Sequence, residues 1–171
     1  MSDGMRKTGR ARYTALMGAL LATSMAFAYL EAILPINIGI PGVKLGLANM
    51  TVIFALYRLK ARDAVLLSLI RVLLSSILFG NVTVAAYSLC GATLSLLVMI
   101  LLKHTDKFSE VGVSVSGGVA HNIGQLACAA ALMENASLAW YLPVLSVSGC
   151  IFGALIGALG AIAVRRIKMN I

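Results

Sequence analysis

Twelve of the fourteen lysines and arginines in this chain fall in four clusters, and apolar stretches of membrane-spanning length separate them. The clusters are Arg6, Lys7, Arg10 and Arg12; Arg58, Lys60 and Arg62; Lys103 and Lys107; and Arg165, Arg166 and Lys168. A cationic side chain at the centre of a bilayer costs about 2.5–3.5 kcal/mol on insertion scales, so each cluster marks a place where the chain stays in water. The stretches between are apolar enough to need lipid. The chain is 60% hydrophobic and 12% charged, where a soluble domain averages about 45–50% and about 25%. The net charge of +8 would otherwise suggest nucleic acid. Here the charges flank apolar segments instead of lining one face, and the positive-inside rule accounts for them.

A bilayer core about 30 Å thick takes roughly 20 apolar residues of helix. On that measure the chain is an all-α polytopic membrane protein, one transmembrane domain over residues 1–171 with a basic segment at 1–12. Six helices are expected, near Tyr13–Leu34, Val43–Tyr57, Ala64–Phe79, Val82–Leu102, Val111–Met133 and Leu138–Val164. Six crossings put all four basic clusters on one side, so both termini are expected in the cytoplasm, with the protein in the cell membrane. Outer loops then fall at Pro35–Gly42, Gly80–Asn81 and Glu134–Ser137. The basic start and Ala26-Phe27-Ala28 also suit a cleaved signal peptide, but the apolar run is long for one. Cys90, Cys128 and Cys150 all sit in apolar segments without metal-ligand spacing. They read as small packing residues, and no metal or cofactor is implied. There is no phosphate-binding glycine loop, so any use of ATP requires another subunit.

Ionisable and amide groups at membrane depth tend to face an interior or a cavity. Arg71 lies nine residues beyond Arg62, roughly 14 Å along the helix. His121 lies ten residues into the fifth helix, beside Asn122, and Gln125 shares its face at i, i+4 spacing. Glu31 falls near the outer end of the first helix, Lys44 and Asn49 on the outer half of the second, and Asn81 at the outer turn after the third. The polar groups therefore run from the midplane outward, which suits an outward-facing pocket over a closed floor better than a continuous pore. Pro35–Gly42 holds two prolines and two glycines. It cannot continue a helix and suits a cap over that pocket. Lys44 and Arg71 outnumber Glu31, and His121 can be neutral or cationic. An internal ion pair of Glu31 with either cation leaves the other over, so the expected ligand is a small solute carrying a carboxylate or phosphate.

Small residues mark close helix approach in membranes. Gly149, Gly153 and Gly157 repeat at four-residue spacing in the sixth helix, followed by Ala161, and read as internal packing. Ala15, Ala19, Ala22 and Ala26 make a second stripe in the first helix that continues to its inner end, where another protein has access.

These features, with the run Pro41-Gly42-Val43-Lys44-Leu45-Gly46-Leu47-Ala48-Asn49, resemble the Gx transporter family, also called heptaprenyl diphosphate synthase component I. The resemblance covers nearly the whole chain. That family is similar to the S components of energy-coupling factor transporters. The similarity implies a six-helix membrane subunit that takes a solute from outside and is capped by its first outer loop. It also implies docking, through the alanine face of the first helix, on a transmembrane coupling subunit joined to two ATPases. The aromatic-rich vitamin pocket of some such proteins has no match here.

The expected function is thus a non-enzymatic, substrate-binding subunit for uptake. Glu31, Lys44, Asn49, Arg71, Asn81, His121, Asn122 and Gln125 are its candidate ligand-binding residues, and Ala15, Ala19, Ala22 and Ala26 its docking residues. The alternative takes the synthase name literally, as a membrane component of prenyl diphosphate synthesis. Chain-elongating synthases hold Mg²⁺ on paired aspartates, and Asp3, Asp63 and Asp106 are isolated, so that role would be accessory. An ion-coupled carrier using His121 or Glu31 would be supported by inverted repeats, and no convincing repeat is seen.

Overall fold

The computed structural model describes residues 3–33 and 45–167 of the chain, which form six α-helices and a short 3-10 segment. They are α1 (Asp3–Ile33), α2 (Asn49–Arg58), α3 (Ala61–Phe79), α4 (Val82–His104), α5 (Glu110–Leu132), the 3-10 segment Ala136–Tyr141 and α6 (Leu142–Arg166). No strand occurs among the described residues. The cap loop expected at Pro35–Gly42 and Lys44 lie outside them. Among the described residues, three spans are long and apolar enough to cross a membrane: Ala11–Ile33, Val82–His104 and Ala136–Arg166.

Local chemistry fixes where several helices begin. Asn81 accepts a hydrogen bond from Val84 N (2.9 Å) to start α4, and Ser109 accepts one from Gly112 N (3.2 Å) to start α5. Each satisfies an N–H that has no partner inside its helix. Asp63 accepts from Lys60 N (3.1 Å) at the start of α3. Asp106 and Glu134, just after α4 and α5, have φ of 54° and 50°, the left-handed turn that ends many helices.

The second helix differs from expectation. It begins at Asn49, not near Val43, because Gly46 adopts φ 76° and the chain turns through Leu47 and Ala48 first. Asn49 N then bonds Gly46 O (2.8 Å). Ten residues of helix span roughly 15 Å, half a bilayer core. Every residue of α2 from Thr51 to Leu56 is buried, as expected of a helix apolar on all sides. Its Val52, Ile53, Ala55 and Leu56 form the centre of the core with Ala64 and Leu67 of α3, Leu96 and Met99 of α4, Val113 of α5 and Ile156 of α6.

Helices α4, α5 and α6 pack backbone to backbone. A methyl placed on Gly118 of α5 would lie 2.7 Å from Gly149 O of α6, and one on Gly153 would lie 2.8 Å from Val115 Cα. On the other side of α5, a methyl on Gly124 would lie 2.8 Å from Cys90 O of α4. The glycine stripe of α6 is therefore internal packing, as its spacing suggests.

Helix α1 packs differently. Tyr13, Met17, Leu20, Ser24, Phe27 and Glu31 recur at alternating steps of four and three, and all are buried or half-buried. Met17 and Leu20 join the core. The opposite face, Ala15, Gly18, Ala19, Ala22 and Ala26, is exposed throughout, with nothing within 4 Å of a methyl placed on Gly18.

Candidate functional site

Far from the basic clusters, the end of α1 meets the start of α2. Glu31 Oε1 accepts hydrogen bonds from Gly46 N (2.5 Å) and Leu47 N (3.2 Å). The left-handed Gly46 makes this possible, since it turns two consecutive N–H groups toward one carboxylate. A negative charge there also meets the positive end of the α2 dipole. One sequence-predicted site residue is thus placed as the clasp between two helices.

Arg71 lies on α3, level with the middle of α1 by the register that the Tyr13–Asp63 bond and the Tyr29–Phe79 ring contact set. Its Nε is buried and has no hydrogen-bond partner among the described residues. A buried donor left unsatisfied costs about 1–3 kcal/mol, more when charged. Native folds pair nearly all such groups, so an orphan of this kind marks either strain or a missing ligand. The Nε edge of a guanidinium is one side of the fork that receives carboxylate or phosphate in bidentate fashion.

The two remaining deep candidates on α5 face α4. A methyl on Gly91 would lie 2.7 Å from Gln125 Cγ and 3.0 Å from His121 Cε1. Gly91 is the floor that lets both side chains sit against α4. Asn122 points the other way, donating from Nδ2 to Leu145 O of α6 (2.6 Å). Its neighbour in sequence is thus about 100° away on the helix and serves the α5–α6 seam. Asn81 is exposed and occupied as the cap of α4. Asn49 is half-buried at the first position of α2, next to the Glu31 clasp in sequence. The structure therefore groups Glu31 with the turn before α2 and groups His121 with Gln125, with Arg71 apart on α3. It takes Asn122 and Asn81 into helix packing and capping.

Sequence reasoning missed Tyr87. Its hydroxyl is buried without a hydrogen-bond partner among the described residues, and it shares a face of α4 with Gly91 at i, i+4 spacing. A phenol in an otherwise apolar helix, one turn before the glycine that receives His121, was the available signal. Ser24 was missed as well. Its buried Oγ donates to Ala48 O (3.3 Å), a second clasp between α1 and the start of α2.

The basic end is tied by polar contacts. Tyr13 OH donates to Asp63 Oδ1 (2.6 Å), joining α1 to α3. Burial opposes ionisation of Asp63, but the bonds from Tyr13 and Lys60 N and the charge of Arg62 outweigh it and hold the carboxyl below its usual range. Lys103 Nζ donates to Leu56 O at the end of α2 and sits 5.3 Å over the Tyr57 ring. Arg58 donates to Ile167 O (2.5 Å), and Arg165 pairs with Glu110 at 3.5 Å. No group of three or more His, Cys, Asp or Glu able to hold a metal occurs among the described residues.

The sequence model of one family, heptaprenyl diphosphate synthase component I, matches residues 20–163. The chain belongs to that family. No curated protein and no solved structure shows significant similarity to it.

Proposed function

We propose that this member of the heptaprenyl diphosphate synthase component I family is a substrate-binding membrane subunit. It takes up a small anionic solute from outside and depends on a separate ATP-driven coupling subunit. Six crossings with both termini in the cytoplasm accommodate all four basic clusters on the inner side. The observation that carries the reading is Arg71, whose buried Nε lacks a partner among the described residues. A guanidinium held in that state suits an oxyanion that arrives from elsewhere. Lys44, His121 and Gln125 complete the proposed site, with Asn49 at its edge, and residues 35–42 cap it.

The two unlike faces of α1 support the coupling half of the reading. One face is filled by the protein's own core, and the other is a strip of small residues with open space above it. Small residues permit the close backbone approach on which helix association in lipid depends. Ala15, Ala19, Ala22 and Ala26 are the proposed contact with the coupling subunit.

The family description favours a second reading, in which the chain is a non-catalytic membrane component of prenyl diphosphate synthesis. Affinity capture of the tagged protein from native membranes separates the two. Uptake predicts recovery of a transmembrane subunit with two ATPases, and loss of that recovery in Ala19→Leu at unchanged thermal stability. Recovery of a soluble prenyl synthase alone, indifferent to Ala19→Leu, would replace the uptake reading with the second.

A further inference from the structure

The connection between α5 and α6 carries apolar side chains that no described residue covers. Leu132 and Met133 end α5, and Trp140, Tyr141 and Leu142 lead into α6. All five are exposed, Trp140 over 85% of its surface. In water such a patch would be an aggregation liability. Two observations say what covers it. The patch continues into a row of exposed apolar side chains down α6, Val147, Ile151, Leu155 and Ile162, at steps of one or two turns. That row belongs to a span long and apolar enough to cross a membrane. At its far end stand Arg165 and Arg166, both exposed. From Trp140 to Arg165 is twenty-five residues, roughly 38 Å at helical rise, against a hydrocarbon core about 30 Å thick. With the arginines in one headgroup layer, the tryptophan reaches the other. An indole is an apolar ring with one N–H donor, and it settles in that layer in preference to water or hydrocarbon. The polar residues of the segment suit the same place, since Glu134, Asn135 and Ser137 are exposed and water is within their reach there.

We propose that the 3-10 segment Ala136–Tyr141 is an interfacial anchor, with Trp140 seated among the lipid headgroups of the outer leaflet. Its partner is the lipid surface, and it holds the α5–α6 connection in the membrane boundary instead of leaving it free in water. The choice of the outer leaflet rests on the orientation proposed above; the seat in the headgroup layer does not. A second aromatic pair marks the same boundary on α1 and α3. The rings of Tyr29 and Phe79 lie 5.5 Å apart, and both residues are exposed. Each stands seventeen residues from an arginine at the basic end, Arg12 and Arg62 respectively, or roughly 26 Å. The pair therefore sits near the top of the hydrocarbon. Glu31, two residues beyond Tyr29, then makes its bonds to Gly46 and Leu47 at the edge of the headgroup layer.

Trp140 is the single tryptophan of the chain, so its fluorescence in the unaltered sequence reports this segment alone when excitation avoids tyrosine. The test uses the full chain in sealed phosphatidylcholine vesicles whose acyl chains carry bromine either near the glycerol ester or near the methyl end. Shallow bromine is expected to quench Trp140 at least about twofold more than deep bromine, as an interfacial ring requires. Iodide added outside is expected to quench only those molecules whose termini face the lumen, with orientation read from protease access to a C-terminal tag. Emission typical of an indole in water, unmoved by either bromine, would overturn the anchor. Stronger quenching by deep bromine would overturn it as well, by placing the ring in hydrocarbon. Shallow quenching with iodide reaching only the molecules whose termini face outward would overturn the outer-leaflet assignment, and the orientation with it, while the interfacial seat stands.

Discussion

A single added methyl should act in opposite directions at two glycines of this protein. At Gly118 the new Cβ would sit 2.7 Å from the backbone oxygen of Gly149, and ordinary contact begins near 3.4 Å. Backbone cannot swing away as a side chain would, so α5 and α6 must separate by about 0.7 Å locally. Overpacking of this sort costs about 1–3 kcal/mol, and the better helix propensity of alanine returns up to about 1 kcal/mol. Gly118→Ala should therefore lose between about 0 and 3 kcal/mol, or up to roughly 12 °C in Tm by the scaling for chains of this size. At Gly18 nothing lies within 4 Å, so only the propensity gain remains and Tm should hold or rise by roughly 2–4 °C. Circular dichroism melting in one detergent, with both variants beside wild type, measures the contrast. Gly118 and Gly149 relieve the same spacing, so Gly118→Ala with Gly149→Ala should cost less than the sum of the two. A Gly118→Ala that raises Tm as much as Gly18→Ala does would refute the backbone contact between α5 and α6. A destabilising Gly18→Ala in the isolated protein would refute the open face of α1.

Two further predictions concern polar ties. Tyr13→Phe removes the hydrogen bond to Asp63. Because folding holds that carboxyl below its usual range, its contribution is complete above the unfolded value near about 4 and is lost as pH falls through the folded value. The Tm gap between wild type and Tyr13→Phe should be widest at neutral pH and close on acidification below about pH 4; a gap that widens in acid would reverse the sign of this argument. Asn122→Ala removes the bond to Leu145 O and should lower stability by about 0.6 kcal/mol, the average for such bonds in a membrane protein. Phosphate binding should be unchanged, and weaker binding at unchanged Tm would return Asn122 to the ligand site.

Helix positions were legible where the sequence carries its own punctuation. The starts of α4 and α5 fall within a residue of expectation because Asn81 and Ser109 are capping residues beside apolar runs. The start of α2 was not legible, because it depends on a left-handed Gly46 and a carboxylate fifteen positions away that accepts its N–H. Depth along a helix follows from counting residues, and so the polar candidates could be ranked from midplane to surface. Rotation does not. His121 and Asn122 share a depth, yet one faces α4 and the other α6. Only packing decides which side chain meets which neighbour, and that packing is set by glycines whose partners lie on other helices.

Helix α1 joins these observations into one mechanical consequence. Its inward face is fastened by polar ties at Tyr13, Ser24 and Glu31, with apolar contacts from Met17 and Leu20 between them. The Tyr13 tie ends on the first turn of α3, and the Ser24 and Glu31 ties both end on the turn Gly46–Ala48 before α2. From Glu31 to Ala15 is sixteen residues, roughly 24 Å of continuous helix, and a hydrogen-bonded rod of that length does not bend without a proline or comparable defect. None interrupts α1. Releasing the Glu31 end therefore tilts the rod about Ser24 or breaks the Tyr13 tie as well. Either motion would re-aim Ala15, Ala19, Ala22 and Ala26 together, so the proposed partner on that strip would register a change made at the far end of α1.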